Sequence, residues 1–126
     1  MVVGLGVDIV EVERIRKALE DQPAMIRRVF TRPEAEYCTG RKNQYQHFAG
    51  RFAAKEAALK ALGTGWAEGI RWRDVEVSSE PSGKPLLHFH GRAREVFDSL
   101  DASTIFLTIT HARAYAVAVV MLEGNV

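Results

Sequence analysis

The stretch Arg51–Leu62, RFAAKEAALKAL, decides how the chain is read. It holds five alanines and two leucines with no proline or glycine inside, and Gly63 follows at once as a C-cap. A helix is therefore expected from near Tyr45–Phe48 to Gly63. At 3.6 residues per turn, Phe48, Phe52, Leu59 and Leu62 fall on one stripe. Glu56 and Lys60 run along one flank of it, and Arg51 and Lys55 along the other. Ala53, Ala57 and Ala61 leave a low surface that another element can approach closely. A solvated charged face is the ordinary account of these ions, since a Glu56–Lys60 pair at i,i+4 is worth only about 0.2–0.5 kcal/mol.

Working upstream, residues 4–15 read GLGVDIVEVERI. Val3, Leu5, Val7 and Ile9 alternate with Val2, Gly4, Gly6 and Asp8, a period of two that predicts a strand. One face is wholly apolar. The other sets Asp8 beside two glycines, which leave space next to the carboxylate. Asp8 has a competing reading as a helix cap, with Glu11 three residues later completing a capping box. Val12, Ile15 and Leu19 then keep helical spacing until Gln22-Pro23 breaks it. A short helix is expected over 24–30. Thr31 caps another, with Pro33 in its first turn and Glu34 three residues after the cap. TGRKNQY, residues 39–45, reads as a polar loop.

Downstream the pattern changes. IRWRDVEVSS and KPLLHFH are strand-like and joined by the turn EPSGK. GRAREVFDSL predicts a short helix. TIFLTIT and YAVAVVML form two apolar strands about HARA, a hairpin. A strand, several helices, then mostly strands gives an α+β class, with helices packed on a largely antiparallel sheet. The 126 residues make one domain, 1–126, with no repeat or linker.

Composition narrows the function classes. The hydrophobic share is 47%, the charged share 26% and the net charge +1, so no global field draws in nucleic acid or a membrane. Cys38 is the single cysteine, which forbids an internal disulfide and suits a reducing cytoplasm. The N-terminal apolar run has no basic residues before it and soon meets Asp8 and Glu11, unlike a secretory signal or a membrane span. The pair Gly4 and Gly6 is no dinucleotide fingerprint, because Ile9 stands where the third glycine belongs. His88 and His90 lack further metal ligands and read as surface residues. Trp66 and Trp72 read as packing anchors.

If the Asp8 strand packs on the Glu56 helix, two carboxylates meet. Oxygen ligands of that kind suit Mg²⁺ with waters and substrate phosphates. Arg51, Lys55, Lys60 and Lys84 could surround a phosphate with positive charge. That layout fits phosphoryl transfer. From the residues alone, a nucleotide phosphohydrolase and a noncatalytic nucleotide-binding module remain open beside it.

The strings GLGVDIVEVERI, FAGRFAAKEAALKALGTG, SGKP and LTITHARAYAVAVV, in this order, span nearly the whole chain. Together they resemble the holo-acyl-carrier-protein synthases, small bacterial 4′-phosphopantetheinyl transferases. The resemblance implies transfer of 4′-phosphopantetheine from coenzyme A to a serine hydroxyl of apo-acyl carrier protein, in support of fatty acid biosynthesis. Adenosine 3′,5′-bisphosphate is the leaving group. It implies Asp8 and Glu56 as ligands of Mg²⁺, and Asp8, Glu56 and Lys60 as the catalytic group. Arg51, Lys55, Lys60, Gly83, Lys84, Pro85 and His111 are implied as contacts to coenzyme A, with SGKP against the adenine. Arg14, Arg27 and Arg28 are implied to dock the acidic carrier protein. A homotrimer with active sites between subunits is implied too, as is a cytoplasmic location, with neither nucleic acid nor membrane as partner. One departure is Arg113, close behind the histidine in HARAY.

Overall fold

A computed structural model describes residues 1–125. Its element order is β1 (Val2–Glu11), α1 (Val12–Asp21), α2 (Met25–Val29), α3 (Arg32–Thr39) and α4 (Gln44–Leu62), followed by a 3₁₀ turn at Trp72–Asp74. Then come β2 (Val75–Ser79), β3 (Pro85–Phe89), α5 (Gly91–Ser99), β4 (Ala102–Ala112) and β5 (Tyr115–Gly124). The strands form an antiparallel sheet in the order β1-β5-β4 and a separate β2-β3 hairpin. This is the α+β class expected, with every strand pairing antiparallel.

Helix α4 is the centre of the molecule rather than an amphipathic element on its surface. Phe48, Ala49, Ala53, Ala54, Ala57, Ala58, Leu59, Ala61 and Leu62 are all buried, and they point in every direction around the axis. Its C-terminal half packs among β2, β3, α5 and β5, and its N-terminal half among α1, α2 and α3. From Arg51 onward, Phe52, Glu56 and Lys60, one turn apart, are the residues of the helix that reach solvent. Gly63 ends the helix with φ 82°, a left-handed conformation that glycine adopts without cost.

The glycines of β1 do not leave a void. A Cβ at Gly6 would collide with the carbonyl oxygen of Ala57, and one at Gly4 with that of Ala61. The missing side chains let the backbone of α4 lie directly on the strand. This contact decides which face of β1 is inside. Gly4, Gly6 and Asp8 turn toward the helix, and the apolar face turns out. Leu5 is 65% exposed, Val7 54% and Ile9 62%. Opposite them in register stand Met121, Val119 and Val117 of β5, with Phe106 of β4 beyond Met121. One side of the sheet is therefore a broad apolar surface.

Thr31 caps α3 as its sequence indicates, its hydroxyl accepting from Glu34 N while the Glu34 carboxylate accepts from Thr31 N. His88 and His90 are exposed on β3 and its end, paired with Ser78 and Glu76 respectively. Among the described residues, no helix is long and apolar enough to cross a membrane.

Candidate active site

Asp8 lies inside β1, opposite Ala118 of β5. The α1 helix starts four residues later, and its N-cap, Glu11, makes no side-chain cap bond. The capping alternative for Asp8 and Glu11 thus fails, because the strand continues through Glu11. Asp8 instead faces the flank of α4. Lys60 Nζ donates to Asp8 Oδ1 at 3.2 Å and to the Val7 carbonyl at 2.9 Å. Glu56 stands one turn earlier on the same flank and accepts from Trp66 Nε1 at 3.4 Å.

Burial pushes the Glu56 carboxyl above its usual range. The Trp66 bond pulls it back, the nearby Asp8 charge raises it again, and Lys60 opposes that. The net direction is up, and the Asp8 charge acts in that direction. Both line a groove of about 670 Å³ together with Arg14 of α1 and Lys60. Leu19, Met25, Val29 and Phe30 give the same groove an apolar lining. The groove thus combines charged groups with apolar lining that an aliphatic chain can contact.

The donor set fits Mg²⁺. Two carboxylates, with no histidine or cysteine beside them, leave most of the coordination sphere to waters and substrate phosphates. No cluster of three or more His, Cys, Asp or Glu exists among the described residues, so the structure offers no all-protein metal cage.

Lys55 requires a correction. It was expected to supply charge to a phosphate, yet its side chain is 0% exposed. Its ammonium donates to Glu34 Oε1 at 2.8 Å, to the Trp72 carbonyl at 3.2 Å and to the Val75 carbonyl. Those bonds use all three of its hydrogens. Burial lowers its pKa, with the Glu34 charge opposing. This lysine ties α4 to α3 and β2 and has nothing left for a ligand.

The other expected nucleotide contacts lie elsewhere. Arg51 is five residues from Glu56, which places it about 140° around the helix. It is buried, bonds Ser79 Oγ at 3.2 Å and lies over the Tyr37 ring at 4.0 Å, while its Nε finds no partner. His111, at the end of β4, sits 3.0 Å from the Gln46 carbonyl, which can only accept, so Nε2 carries the proton. Gly83 and Lys84 are exposed at the β2–β3 turn. Lys84 and Pro85 line a second cavity of about 400 Å³, which opens among Leu5, Phe106 and Met121 on the apolar sheet face. In one chain, then, Asp8, Glu56, Lys60 and Arg14 come together, while Arg51, Gly83, Lys84, Pro85 and His111 do not join them. Arg27 and Arg28 are exposed on α2 and line a shallow groove with Trp66, Arg71 and Arg73.

Reading the sequence missed two features. Tyr37, Arg41 and His47 gather around Arg51 and His111. Trp66, taken as packing, also bonds Glu56. A tryptophan in a glycine-punctuated loop just past the acid was the available signal.

The chain belongs to the 4′-phosphopantetheinyl transferase superfamily, whose model matches residues 4–120. Within it, the chain is 48% identical to a holo-[acyl-carrier-protein] synthase of Geobacter sp. (strain M21), over 98% of this chain and 99% of that protein. A crystal structure of the Bacillus anthracis holo-(acyl-carrier-protein) synthase in complex with coenzyme A (3′,5′-ADP) superposes with a TM-score of 0.82. It is 36% identical and covers 99% of both chains. The Neisseria meningitidis holo-[acyl-carrier-protein] synthase gives 0.87 at 30% identity, over 98% of this chain and 99% of that one.

Proposed function

We propose that this chain transfers 4′-phosphopantetheine from coenzyme A to a serine hydroxyl of apo-acyl carrier protein, releasing adenosine 3′,5′-bisphosphate, in support of fatty acid biosynthesis. The observation that carries the reading is the meeting of Asp8 and Glu56 in one groove with Lys60 against Asp8. The chain's likeness to holo-acyl-carrier-protein synthases supports the choice of substrates.

In the transfer, the serine oxygen forms a bond to the phosphorus that bears pantetheine, and the bond from that phosphorus to the bisphosphate oxygen breaks. The serine proton leaves to water held at the carboxylates. Asp8 and Glu56 would hold Mg²⁺, which neutralises charge on the diphosphate and on the departing phosphate. Lys60 orients Asp8 through its bond to Oδ1 and adds a cation that the diphosphate oxygens can approach. The apolar lining at Leu19 and Phe30 suits the pantetheine arm. Arg14 stands at the groove on α1, where an acidic carrier surface would arrive, and Arg27 and Arg28, exposed on α2, offer further positive charge to it.

A homotrimer accounts for the remaining residues. The exposed face of Leu5, Val7, Ile9 and Phe106 is a surface that monomers rarely leave to water. Packing it against a second copy would let a neighbouring subunit supply cations, Arg51, Lys84 and His111 among them, that the acidic groove of a single chain lacks. The reaction would be completed between subunits, in the cytoplasm.

The test is direct. Coenzyme A, Mg²⁺ and apo-acyl carrier protein are incubated with the enzyme, and the carrier is weighed by mass spectrometry. A gain of one phosphopantetheine is expected. Consumption of coenzyme A without any gain would support a hydrolase instead.

A further inference from the structure

We infer that Trp66 is a positioning residue for Glu56, its indole N–H holding one carboxylate oxygen so that the other is presented to the cation. The inference rests on the proposed metal role of Glu56. Trp66 Nε1 lies 3.4 Å from Glu56 Oε1, and no other donor among the described residues bonds that carboxylate.

The indole is held by a closed circuit of contacts that begins and ends on α4. Phe52, one turn before Glu56, stacks on Trp72 with centroids 5.2 Å apart and planes at 25°. Trp72 in turn meets Trp66, with centroids 3.6 Å apart. The Trp72 backbone is fixed by Lys55, whose ammonium donates to its carbonyl. Gly65 and Gly69, with φ 59° and 79°, bend the loop so that it folds back over the helix.

A loop that only needed to cover α4 would be served by any large apolar side chain. Tryptophan adds a donor that cannot accept and cannot ionise, aimed at the acid from a ring fixed on one face. A carboxylate gripped at one oxygen loses the freedom to swing away from its cation. Outer partners of this kind typically set metal affinity within about 10–100-fold.

The test uses Trp66→Phe, which keeps a stacking ring and deletes the N–H. Mn²⁺ binding is measured by electron paramagnetic resonance with saturating coenzyme A. The variant is expected to bind Mn²⁺ about 10–100-fold more weakly, with an unchanged melting temperature. Raising Mn²⁺ should restore most of its turnover. Unchanged Mn²⁺ affinity in a folded variant would reduce Trp66 to packing and overturn the inference, while leaving the metal site standing. Absence of Mn²⁺ binding by the wild type would overturn the metal reading as well, a separable result. A second readout needs no variant to fold. The wild type has two tryptophans, and Mn²⁺ titrated in far below saturation should broaden the indole N–H resonance of Trp66 more than that of Trp72. Equal broadening would contradict the bond.

Discussion

Glu34 and Glu56 both place a carboxylate against α4, and they differ in what surrounds them. Glu34 accepts from Thr31 N at 2.7 Å, Val77 N at 2.8 Å and Lys55 Nζ at 2.8 Å, with neither its side chain nor that of Lys55 exposed. Glu56 accepts one long bond from Trp66, lines a groove and feels the charge of Asp8. The first acid has nearly every lone pair engaged inside the protein. The second is held at one oxygen and left under-coordinated beside another negative charge. A buried network that is fully satisfied fixes the fold. Two acids kept together with only one bonded cation, Lys60 at Asp8, and one long indole bond at Glu56 cost stability and are tolerated where a ligand completes them. The neighbours Lys55 and Glu56 therefore belong to different systems, although the sequence sets them side by side.

The contrast breaks first at the groove. Asp8→Asn and Glu56→Gln should each cut turnover by more than the ~100-fold typical of losing an outer metal partner, with the melting temperature held. Steady-state rates and thermal melts check this. Retained activity in either variant would remove that residue from the cation.

The buried side should answer in stability instead. Lys55→Met leaves Glu34 as a buried charge without its counter-ion and should cost about 3–5 kcal/mol, measured by urea unfolding. Any surviving folded fraction should keep its coenzyme A affinity, because Lys55 touches no ligand. A selective loss of that affinity would reinstate Lys55 as a ligand contact.

Gly6→Ala probes the join between the two systems. The added methyl meets the Ala57 carbonyl and must push β1 off α4, at about 1–3 kcal/mol for overpacking. Since Asp8 follows on the same strand, turnover should fall further than the melt alone explains.

The smallest effect concerns pH. The Glu56 carboxyl is raised above its unfolded value of 4.5. The folded state therefore binds its proton more tightly, and ionising it costs stability. That cost is absent below pH 4.5 and grows as pH rises through the folded pKa. Glu56→Gln should thus match or exceed the wild-type stability at neutral pH and lose that advantage in acid. Denaturant unfolding across pH 4–8 reads the difference, and an opposite slope would contradict the burial of Glu56.

Much of this was legible in the chain. The Thr31 cap, the Gly63 stop, the strand through Asp8 and the hairpin at HARA follow from local rules, which need no knowledge of tertiary packing. The order of the motifs identified the family. The fate of Lys55 was hidden because its partner, Glu34, lies 21 residues away, and a lysine on a helix flank normally reads as solvated. The run Ala53, Ala54, Ala57, Ala58 and Ala61 was the clue that α4 has almost no free side. The outward turn of Leu5, Val7 and Ile9 was equally hidden. An alternating strand ordinarily buries its apolar face, and only the fit of Gly4 and Gly6 to the backbone of α4 reverses it. The separation of Arg51 and His111 from Asp8 could be read only in part, from helix angles.

The central claim is that Asp8 and Glu56 share one divalent cation. Crystals grown with coenzyme A and Mn²⁺ test it through anomalous scattering. A single peak is expected between the two carboxylates, in contact with the diphosphate. Diphosphate density with the peak elsewhere, or with the two carboxylates turned apart, would contradict it.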